Sequence, residues 1–262
     1  MYKRARRLVR SGKLGEIQRA QFVVTGWYRS QAYYNQGGWR ASICGEGGGT
    51  LINQCVHQLD IMQWVLGMPD TVSAEMFTKG RDIFTENDVT AVFGYGRDVR
   101  CAFFASTHEL HGTDRFEIIG THGKIVIENL RMTVEMFRKD EREVNAETVK
   151  GYGRTGGYKL RYGHKAGFAL GILKGGQQKN ILVNFAAAIA GRQKLISPIE
   201  DGLASVEIIN AVYAGGWTGK KVEIPFDAEE YKALLNEKRE EEIAAKAHAD
   251  CAADTDNKEV AK

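Results

Sequence analysis

Apolar and polar positions change their period several times along this chain, and each change marks a different element. Lys3, Arg4, Arg6, Arg7 and Arg10 read as the solvated face of a short helix ending at Gly12. Residues 16–29 alternate and are rich in Val, Phe, Trp and Tyr, which predicts a strand running into the aromatic loop 33–40. The segment from Gly47 to Pro69 predicts one helix of about four turns, opened by a glycine run and stopped by Gly67 and Pro69. Period two then returns in strands over 72–79, 88–95, 99–107, 115–119, 124–128 and 132–138. The tight turns at 96–98 and 120–123 leave no room for a parallel crossover, so the strands they join must pair antiparallel. Residues 150–176 are glycine-rich and polar and read as a long loop over the sheet. Helices over 180–190 and 198–214 follow, the second opened by the capping box Ser197-Pro198-Ile199-Glu200. A short strand at 221–225 leads to a last helix from Asp227 that becomes a Glu/Lys/Ala run.

This order gives an α+β fold, a large and mostly antiparallel open sheet with helices packed on one face. The other face needs cover, for which a second copy of the chain in a homo-oligomer is the expected solution.

Composition narrows the functional classes. The 262 residues are 43% hydrophobic, enough for a sizeable core, and 36 basic against 33 acidic side chains leave a net charge of +3. That balance, without an aromatic RNA-binding motif, gives no support for nucleic acid as a partner. No apolar run reaches the roughly 18 residues that a membrane span requires. Four cysteines at 44, 55, 101 and 251, with no C-x-x-C pair and no signal peptide, read as free thiols in the cytoplasm.

The candidate chemistry lies on the 47–69 segment. At helical spacing Asn53, His57, Asp60 and Trp64 fall within about 60° of one another, so an amide, an imidazole and a carboxylate share a face. A helix edge whose His57 merely bonds a neighbour would show the same pattern. Tyr28, Tyr33, Tyr34 and Trp39 with Arg40 suggest an aromatic floor and a cationic donor suited to oxygen-rich ligands, with core packing as the competing reading for Trp39. In the long loop, His164 beside Lys165, with Arg161 and Tyr162, suits a polyhydroxylated ligand; simple exposure explains these residues too.

Two glycine motifs bear on nucleotide binding. Gly151-Tyr152-Gly153-Arg154-Thr155-Gly156 has the G-x-G-x-x-G spacing, but no helix start follows it and no acidic residue stands about 20 positions on, so it is not assigned to a cofactor. The run Gly45 to Gly49 opens a helix and could cradle an anion, yet lacks the lysine and hydroxyl context of a phosphate loop. His108 and His111 lack the spacing of a zinc helix, and no metal site is assigned.

Gly38-Trp39-Arg40, the glycine run, Asn53-x-x-x-His57-x-x-Asp60 and Trp64-x-x-Gly67-x-Pro69 together resemble the Gfo/Idh/MocA family of NAD(P)-dependent oxidoreductases. The resemblance continues through Lys13 to Ile17, Gly120 to Gly123, Asn184-Phe185, Ile199 to Gly202 and Asn210-Ala211-x-Tyr213. It covers residues 1–226 and leaves 227–262 as a charged helix and tail. It matches the family's C-terminal substrate domain only: the N-terminal Rossmann domain and the E-K-P motif that members carry have no counterpart here.

The resemblance implies hydride transfer between NAD or NADP and a sugar, inositol or related polyol, with neither cofactor expected to bind this chain alone. It makes His57 the acid/base residue and Asn53, at a position where many members have aspartate, its partner. Arg40, Trp39, Asp60, Tyr162 and His164 become the expected substrate contacts. On this reading the chain is the substrate-binding and oligomerisation half of an oxidoreductase from a truncated reading frame, inactive alone. The alternative is a noncatalytic binding or assembly module that retains the fold.

Overall fold

The computed structural model describes residues 1–163 and 176–260. Its frame is a single sheet of strands β1 (Ile17–Val24), β2 (Thr71–Phe77), β3 (Asp88–Tyr95), β4 (Val99–Ser106), β5 (Asp114–Gly120), β6 (Gly123–Glu128), β7 (Arg131–Phe137), β8 (Gly157–Tyr162) and β9 (Val222–Glu223). They lie in the order β8-β7-β6-β5-β1-β4-β3-β2-β9. All neighbours pair antiparallel except β1 and β4. That parallel pair is possible because the chain between them makes a long excursion through helices and through β2 and β3.

Side-chain alternation decides which face is covered. Ala20, Phe22 and Val24 of β1, Cys101, Phe103 and Ala105 of β4, Phe116 and Ile118 of β5, and Ile125 and Ile127 of β6 are all buried. Phe22 stacks on Phe116 with centroids 4.5 Å apart and meets Phe103 edge-on at 6.2 Å. Helices α1 (Tyr2–Arg10), α4 (Val56–Leu66) and α7 (Ile199–Thr218) cover this layer. Leu59, Met62 and Val65 of α4 and Ile208, Ala211, Val212 and Tyr213 of α7 complete the core. The remaining helices are α2 (Gln31–Tyr34), α3 (Thr50–Asn53), α5 (Glu141–Glu147), α6 (Gly176–Ile189) and α8 (Ala228–Val260).

Two expectations about local structure need correction. The single helix expected over the glycine run and polar stripe is two, because the Thr50 carbonyl accepts both Gln54 N–H at 3.0 Å and Cys55 N–H at 2.9 Å, which widens and ends α3. A new helix starts when the Cys55 carbonyl accepts from Gln58 and Leu59. The long loop also contains β8, which pairs with β7 from Phe137 opposite Gly157 to Met132 opposite Tyr162. Its alternation, Tyr158, Leu160 and Tyr162 against Lys159 and Arg161, was present in the sequence but hidden among flanking glycines.

The C-terminal helix is docked rather than free. Tyr231 of α8 extends a ring stack that runs through Trp217 to Tyr213, with centroid spacings of 6.0 and 4.9 Å. Further along, Glu242 is 2% exposed and accepts from Ser42 Oγ at 2.6 Å and Cys44 N–H at 3.1 Å. The helix thereby fastens the loop that carries Arg40. Among the described residues, no helix is long and apolar enough to cross a membrane.

Candidate active site

The site is built where the aromatic loop folds onto the start of α3. Ser30 caps α2, accepting from Tyr33 N–H, and so sets Tyr33 facing the 39–54 segment. Arg40 lies between two rings, its guanidinium carbon 4.6 Å from the Tyr33 centroid and 4.4 Å from that of Trp39, and donates to Tyr33 Oη at 2.8 Å. Stacking fixes the guanidinium plane and leaves its remaining N–H groups to fork onto oxygen acceptors. Its buried Nε has no acceptor among the described residues. Trp39, 49% exposed, forms an open wall of the cluster, so it is not a core residue.

Asn53 sits behind this clamp. Its side-chain carbonyl accepts from Tyr33 Oη at 3.3 Å and Gln54 Nε2 at 2.6 Å, while its amide nitrogen donates to Glu46. The other oxygen of Glu46 accepts from Ala41 N–H at 3.0 Å, which holds Ala41 at φ 49°, a left-handed conformation rare for alanine. With both ends of the amide engaged, Asn53 makes no bond to His57. The expected i, i+4 pairing fails because the break after α3 puts the two residues on different helices.

His57 projects from the first turn of α4 into solvent, without a hydrogen bond among the described residues. Asp60 points elsewhere, accepting from Gln63 at 2.9 Å and from Ser205 Oγ of α7 at 3.0 Å, so it ties two core helices together. Tyr162 lies on β8 with Arg4 stacked 3.8 Å over its ring and bonds to no member of the Arg40 cluster. His164 falls outside the described residues. The structure thus gathers Arg40, Trp39 and Asn53, leaves His57 exposed on α4 with no bond to them, and puts Asp60 and Tyr162 to other uses.

The glycine run has an occupant of its own. Glu86 is buried and accepts from Gly49 N–H at 3.1 Å, Leu51 N–H at 2.9 Å and Tyr213 Oη at 2.9 Å. Burial pushes its carboxyl up to about 7, against the opposing pull of these donors. The acceptor at the head of α3 is therefore the protein's own carboxyl. Sequence reasoning missed Glu86, Glu46 and Gln54; an acid inside the glycine run was the signal for Glu46, whereas nothing local singles out Glu86.

Tests for a cofactor or metal fail on the same geometry. A dinucleotide pyrophosphate would need the helix start that Glu86 fills, and the Gly151–Gly156 motif leads into β8 instead of a helix. The residues described do not fit that group. His108 is paired with Asp88 at 2.7 Å, and among the described residues no three His, Cys, Asp or Glu are gathered in a way that could hold a metal.

Residues 2–126 match the sequence model of the GFO/IDH/MocA C-terminal domain. No curated protein matches the chain. Among solved structures, the WlbA dehydrogenase from Bordetella pertussis, in complex with NADH and UDP-GlcNAcA, is similar with a TM-score of 0.64 at 18% identity, over 86% of this chain and 60% of that one. An NAD binding oxidoreductase from Klebsiella pneumoniae gives 0.64 at 20% identity, over 86% and 63%. Levoglucosan dehydrogenase in complex with NADH and levoglucosan gives 0.62 at 18%, over 86% and 65%. The chain therefore spans less than two thirds of the length of each. Such identities speak for the fold alone, and the match over residues 2–126 shows that this part of the chain is a GFO/IDH/MocA C-terminal domain.

Proposed function

We propose that these residues form the substrate-binding part of a sugar or polyol oxidoreductase that works with a nicotinamide cofactor, NAD or NADP. The observation that carries it is the Arg40 clamp: a guanidinium stacked between Tyr33 and Trp39, with a buried Nε left over. Vicinal hydroxyls suit the free N–H groups of Arg40, and the Trp39 face suits the C–H face of a sugar ring. His57 would take or return the proton of the reacting hydroxyl, and Asn53 would hold Tyr33 and Glu46 in place behind the clamp. The comparisons support this reading through the sugar ligands named for WlbA and levoglucosan dehydrogenase.

Saturation-transfer NMR on the chain against uncharged hexoses, an anhydrosugar and inositols tests the proposal. Saturable binding that weakens at least about tenfold in Arg40→Ala, the loss of a charge-assisted contact, is expected. No binding, or binding indifferent to Arg40, would sink it. The alternative, a noncatalytic module with the same fold, binds the same ligands but gains no turnover when a cofactor-binding half is supplied.

The outer sheet face is the proposed contact between copies, in a protein of the cytoplasm. Val92 and Phe104 are exposed there, on adjacent strands, beside the charged set Arg19, Arg115, Glu117 and Lys124. Sedimentation velocity should show an oligomer that Phe104→Glu dissociates; a monomer at all concentrations would refute this contact.

A further inference from the structure

Lys3, Arg4, Arg6, Arg7 and Arg10 stand on the nine residues of α1. The whole chain has a net charge of +3, so this one helix exceeds the protein's entire positive excess and the remainder is net acidic. The arrangement opposes helix formation. Lys3 faces Arg7, and Arg6 faces Arg10, at i, i+4 spacing, and Lys3 and Arg4 lie at the positive end of the macrodipole with no acidic residue in the first turn. None of the ion pairs among the described residues includes any of the five. The stretch 164–175 contains no Asp or Glu to supply a partner.

Two of these cations are nonetheless held in place. The Arg6 guanidinium lies 4.3 Å over the Trp64 ring and that of Arg4 lies 3.8 Å over Tyr162. Stacking leaves guanidinium edges free for oxygen, and the buried Nε of Arg6 has no acceptor among the described residues. Two adjoining concavities accompany the helix. One, of about 270 Å³, is lined by Lys3, Arg6, Arg7, Arg10 and Trp64. The other, of about 360 Å³, is lined by Lys3, Arg4, Arg7 and Tyr162, with Met1 and Gly163. Lys3 and Arg7 belong to both.

We propose that α1, Trp64 and Tyr162 form a binding site for a phosphate-bearing small molecule, with Lys3 and Arg7 bridging phosphate groups in the two compartments. Planar guanidiniums forking onto phosphate oxygens are the chemistry that suits four arginines without carboxylate partners among the described residues. A helix of this length spans about 13 Å, which matches a compact ligand and is short for tracking a nucleic-acid backbone. The site stands apart from the Arg40 cluster and does not depend on the function proposed there.

Inorganic pyrophosphate is the probe, titrated into the full chain in low-salt, phosphate-free buffer by calorimetry, with the melting temperature followed in parallel. The expected result is a saturable isotherm, at least about tenfold tighter than for orthophosphate, and a rise in melting temperature as the like charges are neutralised. Arg7→Gln should weaken binding at least about tenfold while leaving the unliganded melting temperature unchanged or higher, because it removes a repulsive charge. Lys232→Gln, on α8, should change nothing. No saturable signal up to about 10 mM, or equal binding in Arg7→Gln, would overturn the proposal. So would binding of heparin alone, which would make the helix a non-specific polyanion patch.

Discussion

Gly49→Ala should cost about 2–5 kcal/mol of stability and disorder the entrance to the candidate site. A Cβ at this position would lie 2.2 Å from the Glu86 carbonyl oxygen, 2.6 Å from Thr85 Oγ1 and 2.9 Å from Glu86 Oε2. The first of these is backbone, so no side-chain rotation relieves the clash. Relief must come from moving α3 away from the 85–87 segment, which breaks the bonds from Gly49 and Leu51 N–H to the Glu86 carboxylate. Those groups would then be buried without partners. Gly38 is the internal control: nothing lies within 4 Å of its Cβ position, so Gly38→Ala should be neutral. Urea unfolding measures both. A midpoint for Gly49→Ala equal to that of the parent would show that the close approach is not what fixes this glycine.

The second large effect is a fall in stability as pH rises from about 5 to 8. Glu86 has its carboxyl raised from 4.5 to about 7 by burial. Below the lower value both folded and unfolded chains hold the proton, and Glu86 contributes no pH dependence. Between the two values the unfolded chain ionises while the folded one does not, so folding grows less favourable with rising pH. Above about 7 the full penalty applies, about 3 kcal/mol at roughly 1.4 kcal/mol per unit. The lowered groups Glu117 and Asp140 act in the opposite sense, but at more acid pH, where their unfolded forms titrate. Glu86→Gln should flatten the dependence between pH 5 and 8, even though its amide cannot accept from Gly49 and lowers stability at the acid end. Unfolding free energies that rise across this interval in the parent, or an unchanged slope in Glu86→Gln, would contradict the assignment.

Both effects originate in the same node, which also explains why the glycine run resembles an anion cradle without serving an external ligand. Tyr213 from α7 donates to Glu86 and accepts from Gly49 N–H at 3.0 Å, so helix, sheet connection and site loop meet at one buried carboxyl. Gly48 is close-packed against the same phenol, its Cβ position 2.0 Å from Tyr213 Oη. The residues that seemed to await a phosphate are therefore engaged in holding the Arg40 loop against the core. Glu242 does the same from the opposite side, through Ser42 and Cys44.

Much of the architecture was legible because it rests on local rules. Period-two alternation gave β2 to β7, and the two tight turns gave the antiparallel pairing of β3 with β4 and of β5 with β6. The start of α7 was legible to within a residue, although its N-cap is Pro198 and no side-chain cap bond forms, whereas its end was not: the helix runs past the expected 214 to Thr218, where Gly219 adopts φ 66°. The Arg40, Trp39 and Asn53 grouping was legible because all three lie within one short stretch of chain. The break between α3 and α4 was not, since it depends on the bifurcated bonding at the Thr50 carbonyl and on Cys55 being drawn into the core. A helical wheel assumes an unbroken register, and so it placed Asn53, His57 and Asp60 on one face.

The sequence by itself determined most of the elements and the likeness of residues 2–126 to the GFO/IDH/MocA C-terminal domain, because propensity, alternation and turn chemistry act between near neighbours. Only the tertiary structure decided which polar groups are spoken for. Asp60 bonds to Ser205, and the head of α3 takes Glu86. The partners come from distant segments, and burial makes an unsatisfied polar group costly enough that whichever partner the fold brings near is the one it keeps.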